Sequence, residues 1–276
     1  VTFADGADII TASAGTSNVR FGVNAGNSIE SGGQYNTFVG DESGTAQTVG
    51  DKNVAVGYGA FKTSTTGYHT VAIGVNAGDA ITTAGQNVLI GYDSGTTATT
   101  GGDNTAVGDR SFKLATTGAN NVALGTVSLE NTTTGASNVA VGWGSLRANT
   151  TASDNVAVGK DTGKAVTTGV QNTLIGALAG DALTSSNDNT AVGYRALSNA
   201  TTGNENTAIG HTALFTNILS DRNVAVGVDA LSVHNQATSV DSYNTAVGYA
   251  AGERVTTGIN NTLIGALAGD ALTDAD

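Results

Sequence analysis

The sequence predicts an all-β protein, a parallel β-solenoid of about fifteen stacked coils. Three observations predict it: one motif returns every 17 residues, each copy holds short β-compatible stretches bounded by Gly and Thr turns, and the side chains are small. With 39 glycines, no proline, cysteine or methionine and 5% aromatics, such side chains cannot fill a wide globular core. They suit a thin core repeated along an axis.

The motif reads Asn, then Val or Thr, a small residue, Val, Ile or Leu, and Gly. It stands at Asn53-Val54-Ala55-Val56-Gly57, Thr70-Val71-Ala72-Ile73-Gly74 and Asn87-Val88-Leu89-Ile90-Gly91. It continues from Asn104, Asn121, Asn138, Asn155, Asn172, Asn189, Asn206 and Asn223 in steps of 17. Asn18 and Asn36 begin earlier copies, their spacing of 18 being one residue out of step, and Asn244 and Asn261 begin the last two. The step from Asn223 to Asn244 is 21, so four extra residues are expected to bulge as a loop within residues 233–242. Residues 1–17 read as an incomplete coil or a strand leading into the stack, and residues 18–276 as one solenoid domain. Val1 in place of Met, and a last coil cut at Asp276, point to a piece of something longer.

Helices fit this unit poorly, because Gly recurs at two or three places and Thr and Asn fill the space between. Strand–turn–strand–turn fits it, with a second β-stretch expected after the motif's Gly. Fifteen coils at about 4.8 Å each give a rod about 70 Å long. A longer beat lies above the first. Coils with Gly at the ninth place, where others have Leu or Phe, come in pairs: Gly78 and Gly95, Gly163 and Gly180, Gly252 and Gly269. The run Asn172–Leu183 recurs unchanged at Asn261–Leu272, as duplication of a five-coil block would produce.

Alternate side chains of a strand point to opposite faces. The fourth place is apolar in every coil, which assigns it to the solenoid interior. The third place then faces outward, yet it is Ala or Leu: Ala55, Leu89, Ala106, Ala140, Ala157, Leu174 and Leu263. An outward apolar column implies a second buried surface, so these residues are the candidates for an interface with a partner chain. Arg20 breaks that column in the first coil. The Asn at the first place is expected to stack as an amide ladder.

Copies such as Asn189-Thr190-Ala191-Val192-Gly193-Tyr194-Arg195-Ala196-Leu197 through Gly203 resemble the repeats of phage tail fibres. They are also similar to the left-handed β-roll heads of trimeric autotransporter adhesins. The resemblance covers Asn18 to the C-terminus. It implies a left-handed roll, a parallel homotrimer, an extracellular setting on a virion tail fibre or a bacterial surface, and attachment to a host surface glycan or protein beside other fibre proteins. The 17-residue coil is longer than the usual autotransporter coil, which favours the phage side; an adhesin head is the alternative.

The sixth place is expected to face solvent. It holds Tyr58, Tyr92, Trp143, Tyr194, His211 and Tyr249, whose rings could stack on sugars of a surface polysaccharide or cover the turn at a subunit boundary. The Thr-Thr-Gly rows could form an ice-binding array, but each precedes a Gly turn and several coils lack it, so the turn reading is favoured. No metal, cofactor or catalytic residue is expected: the acids are scattered, no calcium loop occurs, and His69, His211 and His234 read as surface residues. A polysaccharide-cleaving tailspike is the enzymatic rival, with no carboxylate pair to single out. The net charge of −12 argues against nucleic acid, and no apolar run is long enough to span a membrane.

Overall fold

A computed structural model describes residues 14–274 of the chain. The expected incomplete coil at the N-terminus lies outside the described residues as far as residue 13. The described chain is a β-solenoid with one strand per coil. Fifteen strands, from β1 (Val19–Phe21) and β2 (Thr37–Val39) to β15 (Thr262–Ile264), form one parallel sheet in chain order. We number the coils by first residue: Asn18, Asn36, Asn53, Thr70 and Asn87 open coils 1–5; Asn104, Asn121, Asn138, Asn155 and Asn172 open coils 6–10; Asn189, Asn206, Asn223, Asn244 and Asn261 open coils 11–15. The register is one coil to the next without slip, as in Val139↔Val156, Ala140↔Ala157 and Val141↔Val158.

Each strand is only three residues long because its neighbours cannot be extended. The residue before the first place is left-handed, and the fifth-place Gly has a φ that L side chains do not adopt. Gly142, at φ +128°, is typical: a Cβ there would lie 2.4 Å from the carbonyl oxygen of Gly159 in the next coil. The second β-stretch expected after this Gly is absent. The seventh, ninth and seventeenth places are left-handed instead, as at Arg195 (φ 56°), Leu197 (φ 55°) and Glu205 (φ 57°) of coil 11, and turn the chain at its corners. A Leu in that conformation costs about 1 kcal/mol. Burying its side chain returns about 2 kcal/mol, which explains why Leu is found there.

The interior is the reverse of the sequence reading. The third place points inward: Ala55, Leu89, Ala106, Ala140, Ala157 and Leu174 are buried within the chain itself, and Leu263 packs against the same core. None of them is available to a partner chain. The second and fourth places face out. The reason is width. The strand shares the interior with the ninth place, filled by Phe61, Phe112, Leu146 or Leu197, and with the twelfth, so Ala is the side chain that fits opposite them. Arg20, in the same third place, turns its guanidinium to donate to the carbonyl of Gly26 at 2.8 Å.

The paired Gly coils solve the same problem differently. A Cβ at Gly163 would meet Leu174 Cδ1 at 2.8 Å and Leu146 Cδ2 at 3.1 Å. Gly at the ninth place therefore admits the large third-place side chain of the following coil, and Val166 and Leu183 fill the twelfth place.

The first-place asparagines form the expected ladder, buried from Asn18 to Asn244 and half-buried at Asn261. Asn138 Oδ1 accepts the backbone N–H of Asn155 at 3.1 Å and its Nδ2 at 3.3 Å, while Asn138 Nδ2 donates to Asn121 Oδ1 at 3.1 Å and to the carbonyl of Ala152 at 2.9 Å. Thr70 interrupts the ladder: its N–H donates to Asn53 Oδ1, but its hydroxyl turns to the carbonyl of Tyr68. A second ladder stands at the thirteenth place. From Thr48 through Thr184 each hydroxyl donates to the carbonyl of the next coil's Thr, as from Thr116 to Thr133 at 3.0 Å.

Candidate functional site

The packing leaves one face of the sheet looking outward. It consists of two columns, Val or Thr at the second place and Val, Ile or Leu at the fourth, with Phe21 in β1. None of the fifteen strands puts a charged residue on it. Its side chains are half-buried by their neighbours; the longer ones, Ile73, Leu124, Ile175 and Ile209, remain 36–40% exposed. A continuous apolar strip of this length is uncommon on a lone soluble chain.

The chain's charges lie elsewhere on the coil. Lys62 pairs with Glu42 at 2.6 Å, Lys113 with Asp93 at 3.1 Å and Lys164 with Asp181 at 3.3 Å, while Arg110 and Arg147 both reach Glu130. The hydrogen bond to Glu42 holds the Lys62 ammonium above its usual pKa. In these cross-coil pairs the cations reach solvent while Glu130 and Asp93 are largely buried beneath them. The charged flank and the uncharged sheet face are thus separate surfaces of one rod.

Between Gly and the charged flank runs the sixth place. Tyr58, Tyr92, Trp143, Tyr194 and Tyr249 are 52%, 54%, 46%, 48% and 59% exposed. They stand in coils 3, 5, 8, 11 and 14, so the last four repeat every three coils, or about 14 Å. Lys160 lies 5.6 Å from the Trp143 ring centroid, and His211 stacks on Tyr194 with centroids 5.4 Å apart. Arg195 caps both Tyr194 and Phe215. The row offers ring surface, cations and hydroxyls along one edge of the sheet face. It is a single chain's surface, and the sequence-expected sugar platforms and turn covers have the same exposure in it.

The threonines expected as a possible ice-binding array carry their thirteenth-place hydroxyl hydrogens to backbone carbonyls, so that column is a coil-to-coil clamp. Of the three histidines, His69 and His211 are exposed, but His234 is completely buried. It occupies the twelfth place of coil 13, an interior column that the sequence reading did not identify. Among the described residues no group of three His, Asp or Glu is placed to hold a metal ion, and no helix is long and apolar enough to cross a membrane.

The residues missed from sequence are those of the outward columns, Ile73, Leu124, Ile175, Ile209 and their neighbours. A signal for them existed. Leu or Phe appears at the third place only where the same coil and the one before carry Gly at the ninth: Phe38 with Gly26 and Gly44, Leu89 with Gly78 and Gly95, Leu174 with Gly163 and Gly180. That exchange of volume places both positions in one interior and leaves the fourth place outside. No family model, curated protein or solved structure matches this chain.

Proposed function

We propose that this chain is the shaft of an extracellular homotrimeric fibre that attaches to a host surface. The carrying observation is the uncharged sheet face, which runs from β1 to β15 and which the chain does not cover itself. Copies of the same solenoid, set side by side in register, would bury it along the whole rod, each coil adding the same small increment. The number three, the virion or bacterial-surface setting and the phage-fibre over the adhesin-head reading rest on the resemblance of the repeats. The aromatic row from Tyr58 to Tyr249 is the part of the rod suited to touch a surface glycan, since rings present apolar faces with polar rims nearby. No residues are assigned to glycan cleavage.

Light scattering tests the association. The native chain is expected at three times its 27.2 kDa mass. The double variant Val141→Lys, Ile175→Lys is expected to run as single chains with its β-signal intact. Ala140→Glu, in contrast, should unfold the coil rather than part the subunits, because it buries an unpaired charge. A native chain that stays monomeric at micromolar concentration would refute the fibre reading. Quenching of the one tryptophan, Trp143, on titration with host surface polysaccharide tests attachment separately.

A further inference from the structure

Coil 13, with 21 residues, departs furthest from the 17-residue step. Its backbone follows the common path to His234 and Asn235, whose N–H donates to the carbonyl of Thr256 in the next coil at 2.8 Å. It returns at Val240, whose carbonyl accepts from Asp221 at 3.0 Å, and at the isolated bridge between Asp221 and Asp241. Ala237, Thr238 and Ser239 between them are exposed. The threonine clamp also lapses here: Thr201 donates to the carbonyl of Ile218 at 3.3 Å, and Ile218 and Asn235 supply no hydroxyl in turn. Asn235 Oδ1 accepts the N–H of Ile218 at 3.3 Å in its place. Residues 236–239 are tied to other coils by side chains, Gln236 Nε2 to the carbonyl of Thr257 at 2.6 Å and Ser239 Oγ to Asp221 at 3.1 Å, so this stretch is held more loosely than its neighbours.

His234 sits inside this weak coil. Its ring is fully buried, and neither ring nitrogen has a hydrogen-bond partner. In the interior column it stands between Asn217 and Val255, beside Leu214 and Leu231, none of which titrates. The charged groups of the flanking coils, Asp221, Arg222, Asp229, Asp241, Glu253 and Arg254, all keep contact with solvent. None of them acts on the ring: burial alone lowers its pKa, to about 4, and the backbone of Thr256 partly opposes this.

We propose that coil 13 is an acid-operated weak point, in which protonation of His234 releases the segment 232–242 while the other coils stay closed. The sign follows from the two states. Above about pH 7 the ring is neutral whether the coil is closed or open, and it has no effect. Between about 6.5, the value of a solvated His, and about 4, the open coil binds a proton that the closed coil refuses, so opening gains ground as pH falls. Below about 4 both forms are protonated and the effect levels off. Inside, only the backbone of Thr256 favours the imidazolium, and burial outweighs it, so the charge is accommodated by letting the ring reach water. The release does not depend on oligomeric state.

Hydrogen exchange of the full chain, followed by mass spectrometry at pH 7.5 and 4.5 and corrected for intrinsic rates, tests this. Protection of peptides covering 232–242 is expected to fall by about fiftyfold to a hundredfold, with peptides from coils 6–10 unchanged. His234→Asn, which repeats the residue found at Asn217 and Asn149, should abolish the fall. His234→Ala, matching Ala200 and Ala115, serves the same purpose should the first variant fold poorly. Protection that is lost evenly along the rod, or in 232–242 equally with and without the histidine, would overturn the proposal.

Discussion

Coils 6–8 and coils 9–10 trace the same backbone with different interiors. In coils 6–8 the third place is Ala, the ninth is Phe112, Leu129 or Leu146, and the twelfth is Ala115, Thr132 or Asn149. In coils 9–10 the ninth is Gly163 or Gly180, the twelfth is Val166 or Leu183, and Leu174 takes the third place of coil 10. The difference teaches that the solenoid conserves filled volume and not residue identity, and that it does so across coil boundaries, since Gly163 makes room for Leu174 of the next coil.

The comparison is broken most severely by emptying a Leu coil. Leu146→Ala should cost about 3 kcal/mol in chemical denaturation, because Asn149 at the twelfth place is small, polar and bonded to the carbonyl of Ala152. Overfilling a Gly coil comes next. Gly163→Leu should cost about 2 kcal/mol through its clash with Leu174. Combined with Leu174→Ala, which turns the pair toward the Leu pattern, it should cost at least 1 kcal/mol less than the two single losses summed. Additive losses would mean that the two interiors are independent after all. The smallest effect sharpens the part both regions share, the asparagine ladder. Thr70→Asn should raise stability by about 1 kcal/mol by restoring an acceptor for Asn87, read as a shift in the denaturation midpoint.

Much of this fold was legible. The 17-residue beat gave the solenoid, the strand positions from Val19 to Ile264 and the amide ladder, because each repeat must meet its copy in register. The exposed aromatic row at the sixth place was legible too, since it follows a Gly that turns the chain out of the strand. The direction of the strand was not. Alternation distinguishes two faces without saying which is inside. The stricter apolarity of the fourth place pointed inward, whereas the narrow coil accepts Ala140 and rejects Val141. His234 was misjudged for a related reason: its column also holds Ile81, Ser64 and Asn149, and no common chemistry marks it as interior.

The sequence by itself determined that this protein is a stack, how many coils it has, and where the stack is interrupted, because repetition is a one-dimensional property. Only the tertiary structure decided which columns are inside, since that depends on the width of a coil closed by left-handed turns at three corners. Its narrowness turns the β-branched residues outward onto an uncharged face and seals one histidine in the core.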